Sequence, residues 1–157
     1  MTSTIQFERP GFDEIATVIR RIFPVVDSPE FGLLPDSIDR YLTAGGVPVL
    51  WQRIPDWESY ACGQRDISSE EFVSLLFSPL CPGFDENVLC VTDECFETRR
   101  GFSFRFTEIL PFARDVYSQV VTRPTSLFQP CDMIFVAEQS RLLVMLHHEG
   151  YRTQVTA

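Results

Sequence analysis

The stretch from Cys131 to Tyr151, CDMIFVAEQSRLLVMLHHEGY, constrains the fold more than any other part of the chain. Met133, Ile134, Phe135 and Val136 make one apolar run, Leu142 to Leu146 make a second, and Glu138, Gln139 and Ser140 break them. Runs of this length between turn-type residues fit strands buried on both faces, with a short buried helix as the alternative that periodicity alone leaves open. A strand covered on both sides belongs in the middle of a sheet. A hairpin at the centre of an antiparallel sheet is therefore expected.

The flanking segments supply the covering elements. Apolar residues at Phe12, Ile15, Ile19 and Ile22 form a helical stripe. Asp13 and Glu14 begin that stripe, Arg20 and Arg21 end it, as the helix dipole favours, and Pro24 stops it. A second helix is predicted over Asp36–Thr43, ending at Gly45–Gly46. Val47–Ile54 and Trp57–Cys62 read as strands of a meander. Ser68 and Glu71 have capping-box spacing before a helix running to Phe77. Asn87–Val91 reads as a strand and Asp93–Arg100 as a polar turn. Gly101–Ile109 alternates most clearly, with Phe102, Phe104 and Phe106 on one face. Pro111 opens a helix to about Val120, Tyr151–Val155 adds an edge strand, and Ile5–Phe7 reads as a short strand at the start of the chain. The expectation is one α+β domain over 1–157. It has a mostly antiparallel sheet of five to seven strands, with three or four helices packed on one face.

Composition narrows the chemistry. No apolar run reaches the roughly 18 residues that suggest a membrane span, and MTSTIQFERPGF lacks the pattern of a signal peptide, so a cytoplasmic protein is expected. Five cysteines, Cys62, Cys81, Cys90, Cys95 and Cys131, contain no CxxC pair and read as buried thiols. The net charge is −9, and all 13 basic residues are arginine. Residues 51–100 hold ten carboxylates against four arginines. Such a surface repels nucleic acid and membrane headgroups and attracts a basic protein.

Catalytic signatures are sparse. His147–His148–Glu149 is the only histidine cluster. Adjacent imidazoles on a strand point to opposite faces, so a shared ion is not expected, and a polar cap at the strand end is the simpler reading. Cys131 with His147 or His148 has the residue types of a nucleophile and base, but no oxyanion loop accompanies them. No catalytic residue, metal or cofactor is assigned, and the chain is not expected to be an enzyme. The carboxylates instead offer an interface: Glu58, Asp66, Asp85, Glu86, Asp93, Glu94 and Glu97, with Trp57 as an aromatic anchor.

Three segments carry a resemblance: LFSPLCPGF (Leu76–Phe84), TEILPFARD (Thr107–Asp115) and QPCDMIFVAEQSRLLVMLHHEG (Gln129–Gly150). Together they are similar to small bacterial immunity proteins that neutralise polymorphic toxins delivered by contact-dependent or type VI systems. The resemblance implies an acidic inhibitor that occludes its cognate toxin, and it implies no catalytic residues. A small acidic secretion chaperone or adaptor that binds an effector is the alternative.

Overall fold

The structure, a computed structural model, describes residues 6–26, 30–62, 64–65, 67–117 and 132–157, with 115–117 as backbone alone. Ile5, Asp66, Cys131, the predicted helix end at Val120 and the link over 122–130 lie outside those residues.

The protein is α+β, with a single open sheet of six antiparallel strands. The elements run α1 (Phe12–Ile22), α2 (Pro35–Ala44), β1 (Gln52–Arg53), α3 (Trp57–Ala61), α4 (Ser69–Leu76), β2 (Asn87–Thr92), α5 (Cys95–Thr98), β3 (Phe102–Arg105), α6 (Ile109–Pro111), β4 (Met133–Ala137), β5 (Leu142–His147) and β6 (Tyr151–Thr156). Spatial order across the sheet is β1-β6-β5-β4-β2-β3. The predicted hairpin is thus β4–β5, paired from Met133↔Leu146 to Ala137↔Leu142, and it occupies the two central positions. Every residue of β4 is buried, as is every residue of β5 except His147.

That burial requires cover on both sides, and helices lie on both faces rather than one. Val136 lines one face opposite Val18 of α1, and His147 on the same face meets Asp36 of α2. Residues of opposite parity face the other way. There Phe135 meets the Phe77 ring at 5.1 Å, just beyond α4, and Phe104 stacks on Phe112 at 4.4 Å. The buried apolar side chains from both layers form one cluster.

The helices follow their local signals. In α1, Phe12, Ile15, Ala16, Ile19 and Ile22 are buried, and the acidic first turn and basic last turn are as the sequence implies. In α2, Pro35 holds the first turn, and Gly46 at φ 79° lets Val47 N–H reach back to the Leu42 carbonyl. The Ser68 hydroxyl caps α4 by accepting from Glu71 N–H at 3.1 Å.

Several expectations change. Val47–Ile54 contributes only β1, because Pro48 has no N–H to donate and the exposed pair Gln52–Arg53 alone reaches β6. Trp57–Cys62 is not a strand. Asp56 adopts a left-handed backbone at φ 60°, and α3 follows, burying Trp57 and Tyr60 at the i, i+3 spacing of a helix. The polar turn after β2 contains α5, with buried Cys95 accepting from Thr92 N–H through sulfur at 3.3 Å. β3 stops at Arg105, where Glu108 captures Arg105 N–H at 3.1 Å and turns the chain toward α6. β6 is likewise not an edge strand, since β1 lies outside it. Of the thiols, Cys90 and Cys95 are buried while Cys62 and Cys81 are exposed, the latter two against expectation. Among the described residues, no helix is long and apolar enough to cross a membrane.

Candidate functional site

The antiparallel pairing gives the sheet two ends. At one, β4 begins and β5 finishes, so Asp132 just before β4 sits beside His147 and His148 at the close of β5. β2 finishes there too, since Thr92 pairs with Met133, and this places Asp93, Glu94 and α5 at the same end. Helix α2 contributes Asp36 and Asp39 from above.

His147 is held at both ring nitrogens. Nδ1 accepts from Glu149 N–H at 3.1 Å, so Nε2 carries the proton that faces the Asp36 carboxylate at 3.2 Å. Its side chain is only 12% exposed. The Trp51 indole meets the His147 ring edge-on at 5.8 Å and donates through Nε1 to Asp39 at 2.7 Å. These groups, with Glu149 and Tyr151, line a shallow cleft of about 290 Å³.

His148 lies on the turn beyond β5 and is 46% exposed. Asp132 Oδ1 accepts twice from it, from the backbone N–H at 2.9 Å and from Nδ1–H at 3.0 Å. Because His148 has left the strand, its ring is free of strand parity. The two imidazoles stack at 4.4 Å, tilted by 24°, on the same side of the molecule. The opposite-face expectation is therefore overturned. One ring nitrogen from each histidine and one Asp132 oxygen all lie within 4.8 Å of one another.

Asp93 extends the cluster and accepts from Asp132 N–H at 3.3 Å. Loss of hydration pushes its carboxyl above the usual carboxylate range. The Asp132 and Glu94 charges add to this, while the Asp132 N–H and His148 oppose it. Glu94 accepts from the Thr92 hydroxyl at 3.0 Å. Among the described residues, Asp36, Asp39, Asp93, Glu94, Asp132 and Glu149 form no ion pair with an arginine, although Arg40 borders the surface that holds Asp36 and Asp39.

The acidic residues singled out in the sequence do not share one surface. Asp93, Glu94 and Glu97 belong to the histidine end. Asp85 and Glu86 precede β2 and lie at the opposite end, beside the β4–β5 turn. Asp85 pairs with Arg105 at 3.1 Å. Glu86 is only 3% exposed and accepts from Ser140 N–H at 2.7 Å, from the Ser140 hydroxyl and from Gly83 N–H at 3.0 Å, so it is a structural acceptor and not a contact residue. Trp57 is 5% exposed beneath the turn at Gly150, which excludes it as a surface anchor. Glu58 is exposed and pairs with Arg53. Asp66 lies outside the described residues.

Sequence reasoning missed Asp36 and Asp132 as members of the cluster, and named Trp51 only as an alternative to Trp57 for the aromatic anchor. The only local signal was the His–His pair. Asp36 is 111 positions from His147, and no pattern along the chain connects them. Among the described residues the exposed aromatic is Phe84, 80% accessible at the opposite end, inside one of the segments that carry the resemblance. Comparison of the chain with protein-family models, with curated proteins and with solved structures gives no match.

Proposed function

We propose that the chain is a non-enzymatic binding protein of the toxin-neutralising kind, and that it docks a basic protein surface with its histidine end. One observation carries this reading. Carboxylates are gathered at that end without arginine partners, held instead by histidine, tryptophan, hydroxyl and backbone donors, while Glu138 and Asp85 at the other end pair with arginine. Gathering like charges costs folding energy, and a site whose acids no arginine of the fold neutralises is suited to a partner that supplies cations. A basic substrate cleft, such as a nuclease uses to hold phosphates, is complementary to this surface. Occlusion of that cleft is the proposed mechanism, in the cytoplasm of the cell that makes the protein.

Charge reversal at Glu97 and Glu149 tests this, because both are exposed and neither supports the fold through a described ion pair. Binding to the protein encoded beside this one, measured by calorimetry at low and high salt, is expected to weaken in Glu97→Lys/Glu149→Lys. The salt dependence is expected to fall with it. Unchanged affinity and an unchanged salt slope would remove the acidic end from the interface. The chaperone reading draws on a different surface, the exposed Phe84 and Leu80. It predicts a stable homodimer and capture of an extended segment, lost in Phe84→Ser but not in the charge-reversed variant.

A further inference from the structure

We propose that Asp132, His147 and His148 form a binding site for one divalent first-row transition ion of the zinc type. The inference is independent of the docking role. It rests on three donors from one end of the central hairpin brought within 4.8 Å of one another. Two ligands held about 2.1 Å from one ion are at most about 4.2 Å apart, so closure brings the farthest donors together by about half an ångström. Asp132 Oδ1 and His148 Nδ1 are already at 3.0 Å, joined by a hydrogen bond that an ion would replace.

The surroundings supply what such a site needs beyond its ligands. His147 Nε2–H faces the Asp36 carboxylate. This is the carboxylate–histidine arrangement that fixes a ligating ring and leaves the other nitrogen, Nδ1, as the donor. Asp132 is anchored by His148 N–H, and its own N–H is held by Asp93. Binding requires two local exchanges. His147 Nδ1 gives up Glu149 N–H, and the neutral His148 ring moves its proton from Nδ1 to Nε2 so that Nδ1 turns its lone pair to the ion. No net proton is released. The stacked rings must also separate, because an ion lies in the plane of each imidazole it joins. His148, half-exposed on a turn, is the ring able to rotate. Two imidazoles and one carboxylate favour zinc, nickel or cobalt over magnesium or calcium, which prefer all-oxygen sites. Three protein ligands leave a fourth position open to water.

The test uses the full chain, stripped with EDTA and titrated with Co²⁺ and Zn²⁺. One equivalent is expected to bind, with a Co²⁺ visible spectrum free of thiolate charge transfer. Affinity is expected to fall by more than about a hundredfold in His148→Ala, which loses a ligand outright, and by less in Asp132→Asn, which keeps a neutral oxygen donor. Zn²⁺ is expected to raise the melting midpoint of the parent chain and not that of His148→Ala. The exposed His148 makes a folded variant expected, and an unchanged metal-free melting curve checks it. No binding, or equal affinity in the parent and both variants, would overturn the assignment. So would thiolate bands from Cys62 or Cys81, or Mg²⁺ competing as well as Zn²⁺, which would indicate only counterion association with the carboxylates.

Discussion

Glu86 and Asp132 are carboxylates at opposite ends of the same central hairpin, and they are used in opposite ways. Glu86 is buried and consumed: Ser140 and Gly83 close over it and fix the β4–β5 turn to the start of β2. Asp132 takes two hydrogen bonds from one half-exposed histidine and stands beside Asp93, Asp36 and a second histidine. The strands separating them rise about 3.4 Å per residue, so more than about 20 Å of sheet lies between the two. The difference teaches that acid content along a chain says little about acid function. A carboxylate whose acceptor capacity is spent on backbone N–H groups holds a turn. One surrounded by other acids and imidazoles is free to meet a ligand.

The contrast breaks most readily at the buried end. Glu86→Ala leaves Ser140 and Gly83 donors without their acceptor, and urea unfolding is expected to show a loss of about 3 kcal/mol. A loss under about 0.5 kcal/mol would mean that water replaces the carboxylate and that the two ends are alike. Gly150→Ala is expected to cost a similar amount, about 3 kcal/mol. Its φ of 93° suits glycine, and a Cβ there would overlap the Trp57 indole. Because Gly150 ends the turn carrying His148, the same variant is expected to disturb the histidine pair, visible as shifted imidazole resonances.

At the open end the expected effects on folding are smaller. Asp132→Asn keeps the acceptor oxygen and is expected to cost about 1 kcal/mol without metal, a third of the Glu86 effect. Equal costs would erase the distinction. Asp93→Asn sharpens it with a change of sign. A carboxyl held above its ordinary range binds its proton more tightly folded than unfolded. Its contribution to stability is complete at acid pH and is lost as pH rises through the folded value. The metal-free Asp93→Asn protein is therefore expected to melt slightly above the parent at neutral pH, the gap closing below the unfolded carboxyl value. A lower midpoint at neutral pH would show that the bond from Asp132 N–H outweighs the crowding. Smallest of all, Glu97→Lys is expected to change stability by less than about 0.5 kcal/mol while weakening partner binding.

Much of the scaffold was legible in the chain. The hairpin, α1, α2 and α4 announce themselves through runs, stripes and caps, which are contacts between near neighbours. Phe102 and Phe104 point inward as their alternation implies, but the same pattern continues into Phe106, where a capture by Glu108 ends the strand. Trp57 and Tyr60 carried a helical spacing that is too short to distinguish from a strand beside Pro55. The site was far less legible. The histidine pair stood out, yet strand parity was applied one residue too far, to a ring that belongs to the turn.

By itself the sequence determined that Met133–Val136 and Leu142–Leu146 must be covered on both faces, because their apolar side chains leave no side for water. Tertiary structure alone decided which acids are neighbours. Asp36, Asp93 and Asp132 come to the histidines from three separate elements, and only the sheet order and the packing of α2 bring them together. Apolar burial is written locally, residue by residue, whereas the convergence of charges depends on pairings between strands and helices far apart in the chain.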